Sequence, residues 1–257
     1  MKFVAFLDIL GFKEIVQNND HEDLVSIFKD HIHLNLQIAI ANGMYIHSEG
    51  NQEKKVFADF NKIKINSFVI SDSIIIWTNN SSVLEFVYLI QALQIFLAGT
   101  FVNGIPLRGG VSLGNLSVVG EEYSNNFVVN HKTIVGEGLV NAYTLEGISE
   151  WSGCIIDEKT IKYIDNEVSK AFNGNDTFLN EMDVISIRSM IEKKLISKYD
   201  VPLKNLNKKE FYVIDWRPIA PGCTDEVIKN SFKSHGKKIE NESVIRKIEN
   251  TIDFIKS

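Results

Sequence analysis

Residues 3–12 read Phe-Val-Ala-Phe-Leu-Asp-Ile-Leu-Gly-Phe, and this stretch decides how the fold begins. The apolar run from Phe3 to Ile9 predicts a short strand, which is ended by Gly11 because a glycine allows the backbone to turn tightly. Asp8 interrupts the run, and a carboxylate in an apolar strand is costly unless it is solvated, paired or bound to a metal ion. The pattern therefore predicts a strand with a functional acid at its end.

A second apolar stretch contains an acid in the same way. Residues 68–76 read Phe-Val-Ile-Ser-Asp-Ser-Ile-Ile-Ile, which predicts strands over 63–70 and 74–78 with Asp72 in the turn between them. In a βαββαβ sheet the first strand lies beside such a hairpin, so that Asp8 and Asp72 face each other. Two carboxylates at one site suit Mg²⁺ or Mn²⁺, while a helix cap and a plain turn remain the alternative interpretation of the two acids.

The rest of the chain mixes helical and extended patterns, which predicts an α+β fold. The order strand, helix, hairpin, helix, strand is that of a ferredoxin-like βαββαβ core, expected over residues 1–165, with residues 166–257 as a C-terminal extension packed on it. A polar stretch over 49–61 predicts a loop or an irregular hairpin. Helices are predicted over residues 20–41, 83–102, 134–148, 157–164, 176–199 and at the C terminus, and strands over 105–113, 153–156 and 211–216, with short strands or loop over 116–119 and 127–129.

The composition argues against several classes of protein. The net charge of −6, from 27 basic and 33 acidic residues, is unlike that of a sequence-independent nucleic-acid-binding protein. Cys154 and Cys223 form no metal-binding or disulfide pattern, and the first residues show no signal peptide, so a cytoplasmic protein is expected. Residues 83–102 are long and apolar enough to cross a membrane, but Ser82 and Glu85 form a capping box there, which favours a buried helix.

Four motifs, in chain order, resemble those of the class III adenylate and guanylate cyclases. The first is Asp8-Ile9-Leu10-Gly11-Phe12, and the second is Ser71-Asp72, which is similar to the Gly-Asp at that family's hairpin tip. The third is Leu-Arg-Gly-Gly-Val-Ser-Leu-Gly over residues 107–114, and the fourth, over residues 136–146, resembles the family's signature helix. The resemblance covers the predicted core, residues 1–165.

The resemblance implies a metal-dependent nucleotide cyclase. Asp8, Asp72 and the carbonyl group of Ile9 are implied to hold two divalent metal ions, Mn²⁺ or Mg²⁺, on a nucleoside triphosphate. The backbone amides of Gly11 and Phe12 are implied to contact phosphate. In that family one metal ion acidifies the ribose 3′-hydroxyl, which attacks the α-phosphorus as pyrophosphate leaves.

Other positions extend the resemblance or depart from it. Arg108 is a candidate phosphate or transition-state contact, with a structural arginine as the alternative, and Arg217 is a second candidate. Phe68 stands where purine-specific members have a base-reading Lys or Glu, four residues before the second aspartate. Val140 and Thr144 stand where the signature helix normally has an Asn and an Arg. The usual purine reader and transition-state pair are therefore both replaced.

The wording of these motifs is most similar to the pyrimidine cyclases of the bacterial Pycsar antiphage system. That similarity implies UTP or CTP as the substrate, cyclic UMP or cyclic CMP acting on a separate effector protein, and a homodimer with sites at the subunit interface. Neither a nucleic acid nor a membrane is expected as a partner. A phenylalanine in place of a long lysine fits a smaller base, and Asn66 and Phe68 are candidates for the base pocket. A purine cyclase and a catalytically inactive nucleotide-binding protein of the same fold remain the alternatives.

Overall fold

A seven-stranded mixed sheet organises the fold, in agreement with the predicted α+β class. The computed structural model describes residues 1–41, 45–50, 53–58, 61, 63–120, 122–124, 128–130, 132–172 and 195–257. The strands are β1 (Lys2–Ile9), β2 (Tyr45–Gly50), β3 (Glu53–Ala58), β4 (Asn66–Ile70), β5 (Ser73–Trp77), β6 (Leu107–Gly114), β7 (Ser117–Val119), β8 (Glu122–Ser124), β9 (Val128–Asn130), β10 (Thr133–Val135), β11 (Gly153–Ile156), β12 (Ile196–Pro202) and β13 (Lys208–Ile214).

Eight α-helices lie in the described residues, together with two short helical turns. The α-helices are α1 (Phe12–Asn18), α2 (His21–Ile27), α3 (Leu34–Ile40), α4 (Val83–Val102), α5 (Glu137–Ile148), α6 (Glu158–Phe172), α7 (Asp225–Lys233) and α8 (Glu242–Lys256). A π-helical turn, Phe28–His33, joins α2 to α3, so the helix predicted over 20–41 is present as one winding segment. A 3₁₀ turn, Arg217–Ile219, follows β13.

The large sheet has the strand order β12-β13-β11-β6-β1-β5-β4. Strand β1 is central and pairs antiparallel with β5 on one side and β6 on the other, while β4 completes a hairpin with β5. Strand β11 runs parallel to β6, and the β12–β13 hairpin continues the sheet beyond it. Strands β12 and β13, which follow residue 165, are therefore part of the same sheet as the predicted core, and α6 runs across the predicted boundary.

Alternate side chains of β1 point to opposite faces of the sheet. Phe3, Ala5 and Leu7 are fully buried in the main apolar core, to which α4 contributes the largest group of side chains. Phe6 and Asp8 point to the other face, where α5 packs on β1 and β6. The acid predicted to be functional therefore lies on the face that α4 does not cover.

Ser82 caps the N terminus of α4, because its hydroxyl accepts a hydrogen bond from the N–H group of Glu85 at 3.3 Å. Among the described residues α4 is the one helix long and apolar enough to cross a membrane, but it is mostly buried within the protein. Its outer side is covered by the C-terminal segment (residues 195–257), because Phe101 packs on Trp216 and Phe232 with ring centroids 4.8 and 6.4 Å apart. The prediction of a buried helix is confirmed, and the chain itself supplies the cover.

Several predicted boundaries are wrong. The helix predicted over 134–148 begins at Glu137, because residues 133–135 form a strand that pairs with β7. The helix predicted over 176–199 is wrong at residues 196–199, which begin β12 and pair with β13 along its length. Residues 176–194 lie outside the described part of the chain. The polar stretch over 49–61 contains most of the β2–β3 hairpin, and the helix predicted over 157–164 continues to residue 172.

Candidate functional site

Asp8 lies at the end of β1 between two neighbouring strands. It is directly opposite Ser73 on β5 and Arg108 on β6, so the three side chains leave the sheet on the same face. The Asp8 side chain is 26% exposed, which leaves its carboxylate within reach of solvent or a ligand. The sheet register thus places a carboxylate and a guanidinium side by side at the strand end.

Asp72 occupies a two-residue turn between β4 and β5, next to the end of β1. The turn is closed by the pairing of Ile70 with Ser73, and Ser71 adopts a left-handed backbone angle, φ 55°. The N–H group of Ile9 donates to the backbone oxygen of Asp72 at 3.1 Å. The predicted proximity of the two aspartates is therefore present, and this backbone hydrogen bond fixes it.

Arg108 is nearly buried, and each end of its guanidinium has a partner. Its Nε donates to Glu146 Oε1 at 2.5 Å, its Nη1 to the carbonyl oxygen of Ser149 at 3.2 Å, and its Nη2 to Asp8 Oδ2 at 3.4 Å. Glu146 is a buried acid on α5. Arg108 therefore has the structural role that the sequence left open, and its contact with phosphate or a transition state stays a prediction.

Glu146 is the residue of this group that the sequence analysis missed. Helix α5 lies close enough to β6 for it to reach Arg108, because a Cβ atom on Gly110 would come within 2.5 Å of the Ala142 carbonyl oxygen. The sequence does show an acid within a largely apolar helix, which is the available signal. Its partner, 38 positions away, is defined only by the packing of α5 on β6.

The Asp8 carboxyl lies in an environment that disfavours its charge. Burial raises its pKa to about 6, the nearby charges of Glu146 and Asp72 raise it too, and Arg108 opposes the shift. A divalent cation between Asp8 and Asp72 would relieve this cost. Among the residues that the structure describes, no group of three or more His, Cys, Asp or Glu side chains could hold a metal ion. The donor set nevertheless fits Mg²⁺ or Mn²⁺, which proteins often bind through one or two carboxylates plus substrate phosphates.

A cleft of about 470 Å³ opens beside Asp8. We call it the Asp8 cleft. Asp8, Gly11 and Arg108 form one wall, and the C-terminal segment, including α8, forms the other. Gly11 has φ 82°, and a Cβ atom there would come within 2.5 Å of Lys237 Cδ, so glycine is needed both for the turn and for the packing. The side chain of Phe12 points elsewhere, edge-on to the ring of Phe28, and so only the backbone of Phe12 remains a candidate contact.

The two candidate base-pocket residues lie on β4, on the same sheet face as Asp8 but outside the Asp8 cleft. Phe68 is half-buried in a small apolar cluster with Phe6. The Asn66 amide donates to Asn79 Oδ1 at 2.9 Å and to the Trp77 carbonyl oxygen at 3.3 Å. The structure therefore separates the base-pocket candidates from the acids along one continuous face.

Arg217 lies away from the Asp8 cleft. It forms a bidentate ion pair with Asp215, with Nε and Nη2 at 2.8 and 2.7 Å, and its guanidinium stacks over the ring of Phe254 at 4.6 Å. Its bonds to Phe254 and Ser257 tie the end of α8 to the residues that follow β13, and a phosphate contact by Arg217 stays a prediction. Val140 and Thr144 are both exposed on α5, where the Thr144 hydroxyl donates to the Val140 carbonyl oxygen at 2.8 Å.

Comparison with known proteins adds no family to this description. A scan against protein-family models finds no match for the chain, and a search of curated proteins finds none either. The function is therefore proposed from the arrangement of Asp8 and Arg108 in the Asp8 cleft, with Asp72 beside them in the neighbouring turn.

Proposed function

We propose that this protein is a nucleotide cyclase with a class III cyclase core, converting UTP or CTP to the 3′,5′-cyclic monophosphate and pyrophosphate. The observation that carries the proposal is the pair of aspartates, Asp8 and Asp72, on adjacent strand ends beside Arg108. Asp8 belongs to an apolar strand, where an acid with only a structural role is costly, and Asp72 lies in the turn next to it. Asp8 lines a ligand-sized cleft, and Asp72 lies next to it across the backbone hydrogen bond from Ile9 to Asp72.

The strand order supports the same proposal. Strands β6, β1, β5 and β4 are neighbours in that order, with helices between β1 and β4 and between β5 and β6. This is the arrangement of a βαββαβ core, in which the first strand meets the hairpin turn. The two motifs that resemble cyclase motifs therefore meet at one point because of the topology.

The proposed reaction is an in-line displacement at phosphorus. The ribose 3′-oxygen attacks the α-phosphorus and loses its proton to water, while the bond from the α-phosphorus to the bridging oxygen breaks and pyrophosphate leaves. Asp8 and Asp72, with the carbonyl group of Ile9, would hold Mn²⁺ or Mg²⁺, which supplies positive charge to the reacting oxygens. Arg108, already oriented by Glu146, faces the negative charge that accumulates on the phosphates.

The remaining features of the proposal concern the base and the second subunit. Phe68 and Asn66 would contact the pyrimidine base in a site shared by two subunits. The same side of the sheet carries α5, whose exposed Val140 and Tyr143 side chains would be covered by the second subunit of a homodimer. The cyclic nucleotide would serve as a second messenger for a separate effector protein in cytoplasmic antiphage defence. These parts rest on the resemblance of the motifs.

A nucleotide-binding protein without turnover is the second candidate. It is favoured by one observation, the presence of Val140 and Thr144 where an active cyclase has an Asn and an Arg. The two candidates differ in whether a cyclic product forms, because both require the acids and the cleft to bind a nucleoside triphosphate.

The deciding experiment is incubation of the purified protein with each of the four ribonucleoside triphosphates and Mn²⁺, with products identified by mass spectrometry. We expect cyclic UMP or cyclic CMP. Product from ATP or GTP alone would contradict the pyrimidine assignment, and no product from any of the four, across metal ions and pH, would leave the second candidate.

The substitution Asp72→Ala tests the acids. Asp72 lies in a turn, so the substitution removes the proposed metal ligand without removing a contact of the buried core. We expect loss of at least about 100-fold in turnover, the usual scale for a group that stabilises transition-state charge, with the melting temperature little changed. Asp23→Ala, an exposed acid on α2, is the matched control and should keep full activity. Turnover by Asp72→Ala equal to that of the wild type would remove Asp72 from the site.

A further inference from the structure

The wall of the Asp8 cleft formed by the C-terminal segment is strongly basic. Six cationic and three acidic side chains line the cleft, in a chain whose net charge is −6. Five of the six cations follow residue 195, and they are Lys204, Lys237, Lys238, Arg246 and Lys247. A cleft that concentrates positive charge on an acidic protein is suited to a multiply charged anion.

These cations have too few acidic partners within the protein. Glu150 Oε1 is the shared acceptor, at 3.3 Å from Lys247 Nζ and 3.9 Å from a guanidinium nitrogen of Arg246. The Lys204 ammonium makes no hydrogen bond or ion pair within the part of the chain that the structure describes. Arg246 also pairs with Glu242 on the same helix at 3.8 Å, whereas Lys247 has Glu150 as its one carboxylate partner within the described residues. Lys204 beside them is left available for a ligand.

Asp8, Arg108, Lys204 and Lys247 all line the same cleft, and their charges act on one another there. Burial lowers the pKa of Lys247, Glu150 opposes that shift, and the charges of Arg108 and Lys204 lower it further. Lys204 also acts on Asp8, whose carboxyl pKa it lowers. Asp8, Arg108, Lys204 and Lys247 thus surround one space, and a bound anion there would relieve the repulsion among the three cations.

Lys237, in the same wall of the cleft, is buried and bonded within the protein, unlike the exposed Lys204. Its side chain lies across Gly11, and its Nζ donates to the carbonyl oxygen of Gly104 at 2.5 Å. Burial lowers its pKa to about 8. The backbone N–H group of the next residue, Lys238, donates to Glu14 at 2.7 Å, so this stretch is fixed on α1 and forms the floor of the cleft beside the strand end.

We propose that the C-terminal segment is the polyphosphate-binding part of the site, with Lys204 and Lys247 binding the phosphates distal to the reacting one. This inference rests on the proposed function for the identity of the substrate, but not for the binding of polyphosphate. Asp8 lines the same cleft as these cations, so a triphosphate held at Asp8 would extend along the basic wall. The segment after residue 195 is then part of the binding site of a single chain.

The test uses the full chain and inorganic tripolyphosphate, measured by calorimetry without a nucleotide. We expect the wild type to bind tripolyphosphate in low salt, with an affinity that falls as salt rises. Lys204→Gln should bind about tenfold more weakly, which is the effect of losing one charge-assisted hydrogen bond. Lys204→Arg should restore the affinity, because it keeps the charge at an exposed position that does not affect folding.

Lys256→Gln is the matched control, since Lys256 lies on α8 with Lys247 but pairs with Asp225 at 2.8 Å on the surface. It should bind tripolyphosphate like the wild type. No binding by the wild type in low salt, or equal affinities for the wild type, Lys204→Gln and Lys247→Gln, would overturn the inference.

The two proposals fail in different ways. If tripolyphosphate binding depends on Lys204 but no nucleoside triphosphate gives a cyclic product, the polyphosphate site stands and the cyclase assignment fails. If a cyclic product forms and Lys204→Gln changes neither the tripolyphosphate affinity nor the KM for the nucleotide, the cyclase stands and the polyphosphate assignment fails.

Discussion

The ionised carboxylate of Asp8 lowers the stability of the folded protein. Its carboxyl is held between burial and two other acids, which raise its pKa, and Arg108, which lowers it without restoring the ordinary value. The folded protein therefore binds a proton at Asp8 more tightly than the unfolded chain does. Ionisation of Asp8 then disfavours the folded state, and a cation bound beside the carboxylate would reverse that effect.

The first prediction concerns Asp8→Asn. Between about pH 4 and pH 6 the folded wild type holds a proton that the unfolded chain has lost, so the wild type loses stability as pH rises and the neutral Asn variant does not. At pH 7.5, without metal, we expect the variant to have a larger free energy of unfolding, by on the order of 1–3 kcal/mol. Below pH 4 the difference should vanish. Urea denaturation across this pH range measures it.

Mn²⁺ provides the control for this prediction. At pH 7.5 it should raise the melting temperature of the wild type and leave that of Asp8→Asn nearly unchanged, because the variant lacks one carboxylate ligand. A variant less stable than the wild type at pH 7.5 would mean that the contact with Arg108 outweighs burial.

At the scale of elements, helix α8 connects the packing of the C-terminal segment with the Asp8 cleft. Its Phe254 is fully buried among aromatic rings, at 4.5 Å from Trp151 and 5.1 Å from Tyr199 between ring centroids. The same helix places Arg246 and Lys247 in the cleft wall. The position of the cations therefore depends on how firmly the helix is packed.

The second prediction is that Phe254→Ala loosens α8. We expect a loss of about 3–5 kcal/mol in the free energy of unfolding, the usual cost of removing a buried aromatic side chain, together with weaker tripolyphosphate binding. Ile245→Ala, on the same helix but 39% exposed, should cost less than about 1 kcal/mol. Equal losses for the two variants in urea denaturation would contradict the role of Phe254 as the anchor.

The sequence predicted the elements whose signals are local. Asp8 was found because it is an acid within an apolar strand, and Asp72 because it is an acid in the turn between two apolar strands. Helix α4 was found because its cap and its apolar composition are continuous along the chain. Strand β12 was missed because the hydrogen bonds that make it a strand come from β13, which follows a separate turn. Lys204 carries no local signal, since it lies in a polar turn like many surface lysines and reaches the site only through tertiary packing.

At the scale of the whole molecule, the two faces of the sheet differ in how they are covered. The α4 face is closed by the chain itself, because α7 and the residues around Trp216 lie over the outer side of α4. The opposite face is covered by α5 at β1 and β6, and it carries exposed apolar side chains toward β4, among them Ile70, which is 59% exposed. An apolar α4 therefore gives no reason to expect a second subunit, whereas this second face does.

The third prediction tests that face as a homodimer interface. Val140 lies on α5, is 61% exposed and takes no part in the buried core, so Val140→Glu should leave the fold intact. If two copies pack through this face, a buried carboxylate without a partner would cost several kcal/mol, and the mass in solution should fall from that of a dimer to that of a monomer. Cyclase turnover should fall with it, because in the proposed dimer the base-pocket candidates of one subunit complete the site around the acids of the other.

Val25→Glu, a 53% exposed position on the opposite, helical side of the sheet, is the matched control and should stay dimeric and active. Light scattering coupled to size exclusion gives the masses, and a dimer that survives Val140→Glu would move the interface elsewhere.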